Sequence, residues 1–419
     1  MSLTRRTARR AGGVLSALLV VLSPLALVGS AGSVHAAAAG GPAGPPQQVA
    51  IDWQRIAMRT VYTEPATALP PPVGAIYIAF TSVAVHDAVK ASHGLGTPTA
   101  RAAIAQAAHD TLLAYFPASK TNLDRDLAAS LATVPNGRGE TQGVRIGRAS
   151  AAAMVASRIG DGRNDATVVY DKPKLPGFWQ PPTGGAMAFA WLAYMRQIVP
   201  TAPVAVGGPD PLTSTEYAED FNEVRLIGSA NSKTRTQAQT DVANFFAANM
   251  IPVYRDALCR VLEQEPLSLY RTTQLFARID ASVVNAFIQT WNLKLNVGFW
   301  RPFQAIAGAN TDLNPDTAVE DNWTPLVPNP SYSDYTSGHA AATSPMAEVI
   351  RQTLGEDTAL TLRLQTPAGV LVRPYANLAA LEDDAFHARI WGGLHFRKAM
   401  EDGYFIGHET ARRVMQVLD

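Results

Sequence analysis

"SYSDYTSGHAA", residues 331–341, leaves a proline-rich loop and enters an alanine-rich run, with a hydroxyl, a glycine and a histidine at the crossing. The first backbone N–H groups of a helix have no internal partners and carry positive potential, so Ser337-Gly338-His339 at a helix start suits an anion. The same tripeptide also reads as a plain helix entrance, with Ser337 as cap, Gly338 easing the turn and His339 incidental. The surrounding chain has to decide between them.

Outward from that point the pattern is helical. Alanine-rich apolar stretches cover 73–92 and 100–116, the second closing at Pro117, and amphipathic ones cover 122–133 and 140–159. Residues 160–211 are rich in Gly and Pro and read as a long irregular excursion, with a short helix near 186–198. Thr213 with Glu216, and Thr234 with Gln237, have capping-box spacing before the next two helices. Residues 255–290 continue helically with a break at Pro266, 310–335 form a loop, and 339–354, 378–390 and 396–417 complete the set. No run of alternating strands and no repeat stands out. The expected fold class is all-α, with helices packed as bundles.

Composition narrows the function. The 419 residues carry zero formal net charge, which argues against nucleic acid as a general partner. Cys259 is the single cysteine, so neither an internal disulfide nor a multi-Cys metal site is open to the chain. Arg5, Arg6, Arg9 and Arg10 precede an apolar stretch that ends in Val34-His35-Ala36, which has the form of a secretion signal cleaved near Ala36. An uncleaved anchor is the alternative for that segment, and the Arg5-Arg6 pair leaves the export route open. The mature chain is expected to be secreted and not membrane-spanning. The expected division is a signal peptide at 1–36, a leader or linker at 37–72, an N-terminal helical region at 73–260 and a C-terminal catalytic region at 261–419.

Three clusters in the last third carry chemistry. "KLNVGFWRP", 294–302, puts Lys294 and Arg301 seven residues apart, nearly the same direction on a continuous helix, with Pro302 ending it. Ser337-Gly338-His339 is the second. "ARIWGGLH", 388–395, holds Arg389 and His395, which Gly392-Gly393 lets converge by breaking the helix between them. Each alone is met by solvated cations and a core histidine. From composition, Lys-x6-Arg-Pro and Ser-Gly-His are each expected about 0.03 times by accident, so the set is a signal. Together they describe an oxyanion site. Two guanidinium groups and an ammonium supply charge, and Ser337 and Gly338 supply neutral donors. Two histidines remain for the apical positions of a trigonal-bipyramidal centre, His395 as ligand or nucleophile and His339 as acid/base.

Lys-x6-Arg-Pro, Ser-Gly-His and Arg-x5-His in this order resemble the type 2 phosphatidic acid phosphatase superfamily, which includes secreted acid phosphatases and the vanadium-dependent haloperoxidases. "FWRP" at 299–302 and Trp291 are similar to the haloperoxidase version, and "HDA" at His86 and residues 216–246 resemble bacterial haloperoxidase-like proteins. The resemblance implies two packed four-helix bundles. It also implies that Lys294, Arg301, Ser337, Gly338 and Arg389 bind vanadate or phosphate oxygens. His395 is then the metal's ligand or the attacking nucleophile, His339 the acid/base, and Lys294 the group that polarises peroxide. The implied activity is oxidation of halide by hydrogen peroxide through a His-bound peroxovanadate, with a small organic acceptor. The alternative is a secreted acid phosphatase, without vanadate, that forms a phosphohistidine on His395 from a phosphate monoester. A second alternative is a helical binding protein whose site has decayed.

Three positions depart from the family pattern: Thr336 replaces a usual Pro, Ala388 a usual Ser, and Ala399 a usual Asp that orients the second histidine. Glu401 or Asp402 is the expected substitute for that Asp. His86-Asp87 and His109-Asp110 read as satisfied structural pairs, and His408-Glu409 lacks a zinc helix's second histidine. His387 is a candidate for the pocket wall, and by resemblance Tyr332 and Trp291 for a halide site.

Overall fold

The computed structural model describes residues 44–418, so the signal-peptide reading at 1–36 lies outside the described residues. Helix α1 (Gln48–Tyr62) occupies much of the stretch expected to be a leader. Its buried face, with Ile51, Trp53, Ala57, Met58 and Val61, has helical spacing, and each large apolar side chain buried contributes about 1.5–3 kcal/mol. The glycine- and proline-rich "GGPAGPP" directly before it masked that periodicity.

Helices α2 (Pro71–Ala91), α3 (Thr97–Tyr115), α4 (Lys120–Leu131) and α5 (Arg138–Ser157) pack with α1 around an Ala, Val and Ile core. Helices α3 and α5 touch backbone to backbone. A Cβ at Gly143 would lie 2.3 Å from the Thr99 carbonyl oxygen, and one at Gly147 2.6 Å from that of Ala103. Among the described residues α2 is the helix long and apolar enough to cross a membrane, and its most apolar window is 83% buried inside the protein.

The second bundle is built on α9 (Leu269–Asn296), with α11 (Gly338–Leu354) and α13 (Arg397–Val417) packed on it and α12 (Leu378–Trp391) packed on α11. Helix α2 packs on α9 and joins the two bundles. Between them run α6 (Thr215–Ile227), α7 (Gln237–Phe245) and α8 (Met250–Gln264), and α10 (Pro302–Ala307) follows α9. The expected all-α class and paired bundles are what is found, and the chain does break around Pro266, between α8 and α9.

Three local readings change. The cap of α6 is Ser214, which accepts from the Tyr217 N–H, and the capping box of α7 is Thr236 with Gln239, so both starts lie one or two residues beyond the expected ones. Residues 186–198 hold only a 3-10 turn at Ala190–Tyr194. Strands β1 (Leu360–Thr366) and β2 (Gly369–Tyr375) form an antiparallel hairpin that was not expected. It buries Leu360 and Leu362 on alternate positions of β1 while most of β2 stays exposed. A hairpin with so little buried surface leaves only a short alternating trace in sequence.

Candidate functional site

The long excursion turns out to be a brace for α9. Asn285 accepts from the Ile198 N–H at 2.9 Å and donates to the Val199 carbonyl at 2.6 Å. One turn on, Gln289 repeats this pair of bonds on Val204. Next, Trp179 N–H donates to Gly298 O and Trp300 N–H to Gly177 O, which pairs Phe299 with Phe178 in an isolated antiparallel bridge. Helix α9 therefore ends at Asn296, Gly298 takes φ +69°, and Arg301 becomes the residue that starts α10 with Pro302 at its first position. Lys294 and Arg301 do converge, but not along one continuous helix as expected. A braced turn brings them together.

Both are fully buried. The Lys294 Nζ donates to the carbonyls of Ser333 and Asp334 at 2.8 and 2.9 Å. Arg301 donates to the carbonyls of Tyr332, Leu394 and Ser333 at 2.7, 2.8 and 3.3 Å. The ring of Tyr332 lies against both cations, with its centroid 5.0 Å from Lys294 Nζ and 5.0 Å from Arg301 Cζ. Segment 331–334 is thus a clip over the two cations, further fixed by Ser333 Oγ on Lys294 O and by the Asp334 N–H on Phe299 O.

These carbonyls hold the cations without exhausting them. Of five guanidinium N–H groups Arg301 uses three, and of three ammonium N–H groups Lys294 uses two. Arg389, on the last turn of α12, donates to the Phe246 carbonyl at 3.2 Å, and its buried Nε has no partner. Ser337 caps α11, accepting from the Ala340 N–H, and Gly338 opens the helix against the Trp291 ring. The break at Gly392-Gly393 is as expected. Gly393 takes φ +74°, and a Cβ there would lie 2.5 Å from Gly228 O, so glycine is required. His395 follows in the turn before α13.

The charges act on one another. Burial, and then Arg301, hold the Lys294 ammonium well below its ordinary range. Burial, and then Arg389, Arg301 and Lys294, do the same to the half-buried His339. His395 is pushed the same way by burial and by all three cations. Lys294, Arg301, Arg389, His339 and His395 are therefore all within electrostatic reach of one another, and both imidazoles are neutral at ordinary pH.

Sequence reasoning missed Asp334. Its Oδ1 lies 2.7 Å from His395 Nδ1, both side chains are buried, and its Oδ2 has no partner. Burial pushes this carboxyl up to about 7 against the opposing pull of Arg301 and Lys294. Ala399, where an orienting acid was sought, sits on α13 and instead accepts the Ser337 N–H on its carbonyl. Asp402 takes the Tyr335 hydroxyl and Lys398, so it is not the substitute, and no bond joins Glu401 to His395. A signal for Asp334 was available: it is the one acidic residue between Asp321 and Glu348, inside the stretch that starts the site.

The remaining candidates have structural partners. His86 meets Thr273, His109 is held between Asp110 and Asp124, and His408 meets Glu382. His387 stacks on Trp391 and bonds to the Asp383 carbonyl. Among the described residues no group of three or more His, Cys, Asp or Glu is arranged for a bare metal ion. An oxyanion needs no such group. Three cations with unspent N–H groups, one orphaned guanidinium nitrogen and a neutral His395 with Nε2 unused fit vanadate or phosphate.

Residues 274–419 match the family described as the VCPO second helical-bundle domain. The fold is similar to that of a bacterial vanadium-dependent iodoperoxidase, with a TM-score of 0.69 and 18% identity over 89% of this chain and 96% of that one. It is also similar to the holo form of a bacterial vanadium-dependent chloroperoxidase, with a TM-score of 0.68 and 15% identity over 86% and 95%. No curated protein sequence matches the chain.

Proposed function

We propose, for a chain whose residues 274–419 match this helical-bundle family and whose fold is similar to that of vanadium-dependent haloperoxidases, that it is a vanadate-dependent peroxidase oxidising halide with hydrogen peroxide. The observation that carries the reading is the convergence of Lys294, Arg301 and Arg389, each with unused donors, on a histidine kept neutral and bonded through one nitrogen only. Vanadate bound there supplies Lewis-acid activation of peroxide toward halide.

The chain's own residues do the rest. Lys294, Arg301 and Arg389 hold the oxyanion's oxygens, helped by the Ser337 hydroxyl and the Gly338 N–H. His395 would present Nε2 to the group, because Asp334 accepts a hydrogen bond from Nδ1–H and sets the tautomer. His339, neutral and half-buried on the first turn of α11, would hold or move a proton at its ring nitrogens. Lys294 keeps one N–H free for the oxyanion.

Halogenation of monochlorodimedone by the purified protein with vanadate, hydrogen peroxide and bromide or chloride tests this, beside p-nitrophenyl phosphate hydrolysis without vanadate. Vanadate-dependent halogenation is the expected result. Phosphate ester hydrolysis without any halogenation would sink the reading and hand the site to a phosphatase that uses His395 as nucleophile. Export belongs to the same proposal, and the N-terminus of protein recovered from culture medium, expected near Ala37, checks it.

A further inference from the structure

We propose that Tyr332 is a self-halogenation site: its ring lies against the Lys294 and Arg301 cations that cradle the oxyanion, so it is the first aromatic carbon the oxidised halogen meets. The inference rests on the haloperoxidase reading and adds a modification to it.

Placement and reactivity both single out this residue. The ring is pinned between two cations, each contact contributing about 0.5–2 kcal/mol, so it does not swing away from the pocket. Tyr332 is half-buried, with its hydroxyl within electrostatic reach of Arg301 and Arg389. The carbons ortho to a phenol hydroxyl are strongly nucleophilic. Phe189 and Phe287, which pack behind on Trp291, lack that activation. Trp291 is electron-rich but only 1% exposed, and the Tyr332 ring packs against it with centroids 5.1 Å apart.

The step balances. Halide attacks one oxygen of hydrogen peroxide: the oxygen–halogen bond of hypohalous acid forms as the oxygen–oxygen bond breaks, the halogen loses two electrons to the peroxide, and the second oxygen leaves as hydroxide, which takes up a proton to become water. An ortho carbon attacks the halogen, a carbon–halogen bond forms and the oxygen–halogen bond breaks. The ring proton and the departing hydroxide leave as water. A halogen added beside Lys294 and Arg301 narrows the cradle, so modification is coupled to loss of turnover.

The test uses the full-length protein loaded with vanadate, given bromide and limiting hydrogen peroxide without organic acceptor, then intact-mass and peptide mass spectrometry. The control is reagent hypobromite added to vanadate-free protein. Tyr194, which is 58% exposed, is the internal comparison. Bromine, recognised by its paired isotopes, is expected on the Tyr332 peptide at least about tenfold ahead of the Tyr194 peptide when the protein generates the oxidant, because proximity raises effective concentration. Added hypobromite reverses that preference. Tyr332→Phe, which keeps a ring but deactivates it, removes this label and extends the number of turnovers before activity fades. Bromination of monochlorodimedone with Tyr332 unlabelled, or labelled in step with Tyr194, overturns the inference alone. Failure to brominate monochlorodimedone overturns the haloperoxidase reading, and the inference with it.

Discussion

Among the described residues two buried histidines sit 2.7 Å from a carboxylate, and only one keeps its second ring nitrogen free. His109, on α3, has both ring nitrogens taken, by Asp110 at 2.7 Å and by Asp124 of α4 at 3.1 Å. Burial pulls its pKa down, but the two acids outweigh burial and raise it. His395 has one nitrogen on Asp334, and the cations of its surroundings reinforce burial and hold it neutral. The contrast teaches that a nearby carboxylate does not make a histidine functional. A ligand also needs a free second nitrogen and a field that keeps the ring neutral, because only an unprotonated nitrogen donates a lone pair.

Removing each histidine breaks the comparison most directly. His395→Ala is expected to weaken vanadate binding at least about 100-fold, since it deletes the proposed ligand, with equilibrium dialysis as the readout. His109→Ala should leave that affinity alone.

The next effect down concerns the carboxylate. Asp334→Ala is expected to lower vanadate affinity about 10–100-fold, as loss of an orienting partner does, and Asp334→Asn, which still accepts from Nδ1, by less. Ala399 and Asp334 line the same small void. In the Asp334→Ala background Ala399→Asp should therefore recover part of the affinity. No recovery would mean that an acid at 399 cannot reach His395 from α13.

A pH titration sharpens the electrostatic half of the contrast. Sulfate is the probe, because its own charge is constant over the range. As pH rises from about 6 to about 8, Asp334, raised to about 7, gains negative charge. This removes net positive charge from the site, so sulfate affinity falls with rising pH. In Asp334→Asn that fall near 7 disappears. A flat wild-type profile by calorimetry would contradict the assignment of Asp334.

The smallest expected effect is on stability. His109→Ala leaves Asp110 without one partner and should cost about 1–3 kcal/mol in denaturant unfolding, without touching the anion site.

How far the residues could be read in advance differs element by element. Ser337, Gly338 and His339 were legible because a helix start is a local event, as was the break that Gly392-Gly393 makes before His395. The convergence of Lys294 and Arg301 was anticipated on wrong grounds, since the brace formed by residues 177–204 decides where α9 stops. Helix α1 was hidden by the prolines before it, and the β1–β2 hairpin by how little of it is buried.

By itself, then, the sequence determined the helical class and the set of cations and histidines from which the oxyanion proposal starts. These follow from residue type and from a periodicity that repeats within a few residues. Tertiary structure alone decided which carboxylate serves His395. Asp334 lies 61 residues before it, and no local periodicity carries information across that distance. Their 2.7 Å contact exists only because clip 331–334 and the turn before α13 are packed onto the same buried cations.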